Sequence, residues 1–356
     1  MKKVGWGVIG AGGIADRRTL PGLMLAANAR LVAVMEVDAA NAERLRGKHG
    51  ASRAYSDAAS LVADPEVDSV YIASPVSCHK EQALVAIAAG KHVLVEKPVA
   101  LTVVDGVEVM RAARAKGVLA ASGFVMRFHG YHRRMRDLVA EGRIGQVVSA
   151  RAQLTCWYPE IPGAWRQKQS ESGGGAIMDL AVHCVDLLHF VLGSPIDRVA
   201  ALSGTRTFAY EVEDSGTMLL RTQSGAFCTV ESYFNIPDSA ARCRFEVYGT
   251  GGSMLAEGTI GQVEGGRLDV VVADGSLAYD PGQARVEVRP IEVELAAGNL
   301  YAKEIEAFGE AVLGHASLEA GLEEAIAVQR VIEAAYESSR SGRFVAVGPG
   351  AEGWIE

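Results

Sequence analysis

The chain opens on Val4-Gly5-Trp6-Gly7-Val8-Ile9-Gly10-Ala11-Gly12-Gly13-Ile14-Ala15, an apolar run punctuated by glycines at fixed spacing. A buried strand feeding Gly10-x-Gly12-x-x-Ala15 predicts a strand, a tight turn and a helix that together grip a dinucleotide. Gly10 permits the turn, Gly12 lets backbone approach a pyrophosphate, and the small Ala15 lets the helix pack on the strand. Gly13 and Ile14 complete the expected phosphate-binding turn, where free N–H groups at the helix N-terminus favour negative charge. Taken alone, the stretch also reads as a glycine-rich turn with no ligand. A second apolar run, Leu31-Val32-Ala33-Val34-Met35, ends in Glu36 at the spacing expected of a ribose-binding acid. Glu36 can accept from both ribose hydroxyls of NAD and would repel the 2′-phosphate of NADP. Residues 37–40, Val-Asp-Ala-Ala, supply no arginine for that phosphate, so NAD is expected over NADP, with Asp38 as the alternative acid.

At 356 residues and 49% hydrophobic composition, the chain has material for two domains with separate cores. Its net charge of −8 and lack of lysine and arginine runs argue against a nucleic-acid partner. The five cysteines form no C-x-x-C pair, and their odd number fits reduced thiols and a cytoplasmic location. Lys2-Lys3 followed by apolar residues superficially resembles a signal peptide, but that stretch is glycine-rich, carries the fingerprint and ends in Asp16-Arg17-Arg18. No apolar run approaches the roughly 20 residues that span a bilayer, so no membrane partner is expected.

Residues 1–122 alternate short apolar strands, near 3–9, 30–36, 69–73, 92–96 and 118–121, with helical patterns near 13–28, 38–49, 77–89 and 103–116. Alternation at this spacing implies a parallel sheet with right-handed crossovers, an α/β domain of Rossmann type. After Gly123 the pattern changes. A helix near 131–141 precedes β-rich runs at 146–157, 197–207, 216–222, 225–234, 242–248 and 252–257, which predict a mostly antiparallel sheet. Helical stretches near 174–192 and 300–338 would cover one face of it. Residues 123–356 therefore read as a second α/β domain that binds substrate, and its open sheet face as a homo-oligomer contact.

Two constellations carry chemistry. His92-Val93-Leu94-Val95-Glu96-Lys97-Pro98 is a strand whose end delivers a carboxylate and an ammonium, and ligands of such sheets sit at the carboxyl ends of strands. Lys97 could instead be an ordinary solvated lysine. Gly173-Gly174-Gly175 leads into a helix on which Asp179, His183 and Asp186 share one face. A carboxylate one turn from a histidine can fix its tautomer and hold its pKa near working pH. The same spacing admits a helix with ordinary polar residues, or a metal, though no further ligand cluster supports one. Ser74-Pro75 ends a strand and should border the cofactor, as should His79, for which capping or packing is an equal reading. Trp165-Arg166 offers a flat apolar face and a multidentate donor, for cofactor or for a substrate ring; core packing is the equal alternative for Trp165. Tyr158 and Arg127 are further substrate-side candidates.

The opening fingerprint, Ala89-Gly90-Lys91-His92 through Glu96-Lys97-Pro98, Arg127-Phe128 with Gly142-Arg143-Ile144-Gly145, Ala164-Trp165-Arg166 and the Gly173–Gly175 helix with Asp179 and His183 together resemble the Gfo/Idh/MocA family. The resemblance spans nearly the whole chain in order. Asn299-Leu300-Tyr301 looks like the branch that holds the 1,5-anhydrofructose reductases. It departs from the family at Met126, where asparagine is frequent.

The resemblance implies a Rossmann domain, a mixed α/β domain whose open sheet builds dimers or tetramers, and hydride transfer between a carbinol carbon of a sugar or polyol and nicotinamide. Carried over, His183 is the acid/base, Lys97 the cation that stabilises the developing alkoxide, and Asp179 the orienting carboxylate, with Glu96 near the nicotinamide ribose. The rival expectations are a keto-sugar reductase and a glycoside hydrolase that retains its NAD.

Overall fold

The computed structural model describes residues 2–274, 281–282 and 286–348. Six strands, β1 (Val4–Ile9), β2 (Ala29–Met35), β3 (Arg53–Tyr55), β4 (Ser69–Ile72), β5 (His92–Glu96) and β6 (Ala120–Gly123), form a parallel sheet in the order β3-β2-β1-β4-β5-β6. The strand order reverses beside β1, which creates a crevice at the carboxyl ends of the strands. Every residue of β1 is buried, which is why its sequence is apolar without alternation. The connecting helices are α1 (Leu20–Leu25), α2 (Ala39–His49), α3 (Ala58–Val62), α4 (Val76–Ala88) and α5 (Val103–Lys116). Asp38, Asp57 and Thr102 cap α2, α3 and α5 through their side chains. Asp38 thus satisfies helix N–H groups, and Glu36 is left as the acid that faces the glycine turn.

The helix expected over 13–28 is shorter and begins irregularly. Residues Ala15–Thr19 are π-helical, with the Leu20 N–H bonded to the Ala15 carbonyl five residues back. Pro21 has no N–H for the carbonyl four residues before it, so the regular ladder cannot run through this turn.

The second sheet has nine strands in the order β14-β13-β12-β11-β7-β10-β9-β8-β15. They are β7 (Val147–Thr155), β8 (Ile196–Gly204), β9 (Ser215–Thr222), β10 (Phe227–Tyr233), β11 (Arg244–Gly249), β12 (Gly252–Glu257), β13 (Arg267–Asp274), β14 (Glu287–Pro290) and β15 (Val345–Ala346). All neighbours are antiparallel except the central pair β7 and β10. Helix α6 (Gly130–Ala140) enters this half, and α7 (Gln169–Ser172) precedes α8 (Val182–Leu192). By length and composition alone residues 169–192 could cross a membrane, but most of the stretch is buried within the fold, where it packs on β7 and β10 as a core helix.

The long helix expected over 300–338 is two, α9 (Leu300–Val312) and α10 (Leu322–Ser341). Gly314, at φ +78°, breaks the run. Helix α10 packs on β8 and α5, whereas α9 turns back onto α1. Its Ile305 and Phe308 join the core around β1, with the Phe308 ring 5.5 Å from Trp6. The C-terminal helices therefore clamp the two sheets together, and the cleft between them has fixed walls.

Candidate active site

The glycine turn has the geometry that its sequence demands. Gly10 sits at φ +70°, and a Cβ there would lie 2.6 Å from the Ser74 backbone nitrogen, so any side chain would collide with the end of β4. A Cβ on Gly13, at φ +53°, would meet nothing within 4 Å. The turn is thus tight behind and open in front, as a phosphate-binding turn must be. Glu36 reaches it from the end of β2, accepting the Gly12 N–H at 2.5 Å. Arg44, a cation on α2, is held by Asn41 and Asp16. These residues fit NAD: an acid at the ribose position, an open turn for the diphosphate, and no unpaired cation at residues 37–40.

From this turn a cleft of about 530 Å³ runs between the two halves. Ile14, Ser74, His79, Glu96, Lys97, Tyr158, Trp165, Arg166, Asp179 and His183 all line it, so sequence-distant candidates converge. Pro75 caps the start of α4 behind Ser74. Lys97, at the end of β5, donates from Nζ to Asp179 Oδ1 at 2.7 Å and to the Asp179 carbonyl at 2.9 Å. Arg166 Nε lies 3.6 Å from the same carboxylate oxygen, and its guanidinium stacks over Trp165 at 4.3 Å. Burial alone would raise the Asp179 carboxyl, but Lys97 and Arg166 hold it well below the usual carboxylate range.

The expected Asp179–His183 pair does not form. Asp179 is spent on Lys97, and His183 Nδ1 is buried with no hydrogen-bond partner among the described residues. Residues Ile177–Ala181 are π-helical, so the one-turn spacing read from the sequence is not that of a regular helix. Burial, and then the charge of Lys97, push the His183 ring well below its ordinary value, with Asp179 opposing. The ring is neutral at neutral pH and can accept a proton.

Glu96 accepts from the Tyr71 hydroxyl at 2.6 Å, and burial raises its carboxyl. Behind it Glu304 of α9 is 3% exposed, with neither oxygen hydrogen-bonded among the described residues. His79 is a buried strut: Nδ1 lies 2.9 Å from the Pro98 carbonyl and Nε2 2.9 Å from the Ser74 carbonyl. Burial lowers it to about 4, and the neutral ring donates to one of these two carbonyls only.

Arg127 is the one substrate-side candidate placed elsewhere. Its side chain, 4% exposed, forks onto Asp186 at 2.5–3.0 Å and reaches Glu324 at 2.7 Å. Rings of Phe124 and Phe190 cover it. It joins α8 to α10 rather than facing the cleft, and Asp186 is withdrawn from the Asp179–His183 face with it.

Sequence reasoning missed Trp157, Asp238, Gly261, Gln262 and Tyr301, which also line the cleft. They come from loops and from α9, and of them only Tyr301 stands in a stretch the sequence singled out, Asn299-Leu300-Tyr301, there as a mark of the family branch. Among the described residues no three His, Cys, Asp or Glu side chains converge as metal ligands, and the five cysteines are unpaired.

Residues 4–124 match the family model described as an oxidoreductase family with an NAD-binding Rossmann fold, and residues 132–255 match the GFO/IDH/MocA C-terminal domain. The 1,5-anhydro-D-fructose reductase of Ensifer adhaerens is 35% identical over 87% of this chain and 88% of its own length. A D-xylose 1-dehydrogenase (NADP(+)) of Haloferax volcanii is 29% identical over 96% and 98%. Among solved structures, the aldose-aldose oxidoreductase from Caulobacter crescentus, complexed with glycerol, superposes at TM-score 0.85 with 25% identity over 97% of this chain and all of its own. GenD2 from gentamicin A biosynthesis, in complex with NAD, superposes at 0.82 with 27% identity over 98% and 97%. With its fingerprint, its Glu-Lys-Pro strand end and both family domains in order, the chain belongs to the Gfo/Idh/MocA oxidoreductases and binds NAD through its Rossmann half.

Proposed function

We propose that this enzyme moves a hydride between a carbinol carbon of a sugar, glycoside or polyol and NAD. The observation that carries the reading is the meeting of Lys97, Asp179 and His183 in a cleft that begins at the glycine turn. When bound, the nicotinamide supplies the hydride acceptor. His183, neutral and desolvated, takes the hydroxyl proton as the carbinol C–H bond breaks. Lys97, fixed by two hydrogen bonds to Asp179, stabilises the negative charge that develops on the oxygen. Asp179 acts as the positioning carboxylate for Lys97. Tyr158, Trp165 and Arg166 border the remaining space and orient the ring.

The same groups serve the reverse reaction, reduction of a keto sugar, and a relative at 35% identity is named for that direction. Glu36, which favours NAD over NADP, speaks for oxidation. The open face of the nine-stranded sheet presents Leu202, Leu219, Phe227 and Leu255, each at least 37% exposed, and supports a homo-oligomer built sheet on sheet. The test is reduced-nicotinamide absorbance with NAD and NADP separately, against pools of monosaccharides, inositols, anhydrosugars and glycosides. Sustained NADH production with one pool supports the reading. Silence with every pool, despite NAD binding, contradicts oxidation, and cleavage of a nitrophenyl glycoside with no net NADH would then identify an NAD-retaining hydrolase.

A further inference from the structure

The cleft that holds Lys97 and His183 is also lined by Trp157 and Asp238, which follow the carboxyl ends of β7 and β10. Trp157 is 44% exposed, which by itself is unremarkable for one apolar residue. What distinguishes it is how firmly it is held while one side stays open. Its backbone N–H donates to Asp238 Oδ1 at 3.0 Å, and its backbone bridges to that of Asn235. Asn235 in turn donates to Ser215 and Thr207. Beneath the indole lies the Phe208 ring, edge-on at 5.2 Å, stacked in turn on Tyr210. Phe208 is fixed because the fully buried Asp214 carboxylate accepts three successive N–H groups, of Arg206, Thr207 and Phe208.

Asp238 uses one oxygen within the fold, and among the described residues it has no cation partner. A carboxylate with a free oxygen, bonded to the backbone of the residue that carries an open indole, suits a carbohydrate ring: the indole covers C–H groups while the carboxylate accepts from hydroxyls. The same charge repels phosphate, which argues against a phosphorylated sugar at this end.

We propose that Trp157 and Asp238 form an outer subsite for a second carbohydrate ring, joined to the ring that is oxidised, so that the preferred substrate is a glycoside or disaccharide. This rests on the reading of the inner cleft as a sugar oxidoreductase. The test compares kcat/KM, with NAD, for matched one-ring and two-ring substrates: glucose with cellobiose and phenyl β-glucoside, galactose with lactose. The wild type should prefer a two-ring substrate by about ten-fold or more, and Trp157→Ala should collapse that ratio to near one, through KM rather than kcat. Asp238→Asn should lower the ratio for cellobiose or lactose more than for the phenyl glycoside, whose second ring has no hydroxyls. A wild type that favours the single ring, or a Trp157→Ala variant with an unchanged ratio, would overturn the subsite. If neither kind of sugar is oxidised, the pooled-substrate assay above decides the function, and tryptophan fluorescence of the NAD-bound chain decides the subsite separately. Saturable quenching by cellobiose or lactose that Trp157→Phe abolishes would uphold it, and no saturable quenching would remove it.

Discussion

Lys97 holds Asp179 and, in the proposed mechanism, also faces the reacting oxygen, and both contacts depend on its charge. That charge also sets the state of His183, because Lys97 stands beside burial among the causes that push the ring down while Asp179 opposes. A histidine whose folded pKa lies below its ordinary 6.5 loses its role as base only when pH falls through the folded value. Replacing Lys97 with Met removes one depressing cause, so the His183 titration should move toward higher pH in a ring-proton NMR titration. A shift downward would mean that Lys97 does not act on His183. Glu36 has a simpler duty. If Glu36 accepts from the ribose and repels a 2′-phosphate as proposed, Glu36→Ser should lower the ratio of kcat/KM for NAD over NADP by about 10- to 100-fold. If NADP is already the better cofactor of the wild type, the assignment of Glu36 fails. Most of these residues were legible from the sequence because each sits where a strand or a glycine-rich turn ends. Their pairing was not. The Asp179–His183 contact expected from helical spacing was lost to the π-turn at Ile177–Ala181 and to Lys97, a partner 82 residues away.

Elements show the same division between local and distant causes. Strands β1, β2, β4 and β5 read correctly because burial on both faces leaves an uninterrupted apolar run. Strands β3 and β15, of three and two residues, were too short for any period to register. Strand β14 is exposed at all four positions and so lacks an apolar signature. Arg127 was misread for a related reason. A polar residue in a matched motif suggested ligand binding, whereas its partners Asp186 and Glu324 are brought to it only by the packing of α8 and α10. Arg127→Ala leaves Asp186 buried without its cation and should cost about 3–5 kcal/mol in urea unfolding. The folded protein should keep a normal KM for NAD and sugar. A raised sugar KM with unchanged stability would return Arg127 to the substrate.

At the scale of the molecule, two sheets of different construction share one cleft, and α9 and α10 fasten them by packing on α1 and α5. The division of labour was visible in the change of pattern after Gly123, but the return of α9 to the first sheet was not, since its apolar face fits either core. The proposed assembly through the exposed apolar residues of the second sheet has its own test. Leu219→Glu combined with Phe227→Glu should reduce the mass measured by light scattering to that of a single chain, and an unchanged mass would place the contact elsewhere.

The most direct trial of the account separates cofactor binding from chemistry in His183→Ala and Lys97→Ala. Both variants should bind NAD within about three-fold of the wild type while kcat falls by about 10²- to 10⁴-fold on the sugar that the wild type oxidises. Weakened NAD binding with normal turnover at saturation would contradict it, and would make these two residues part of the cofactor's seat.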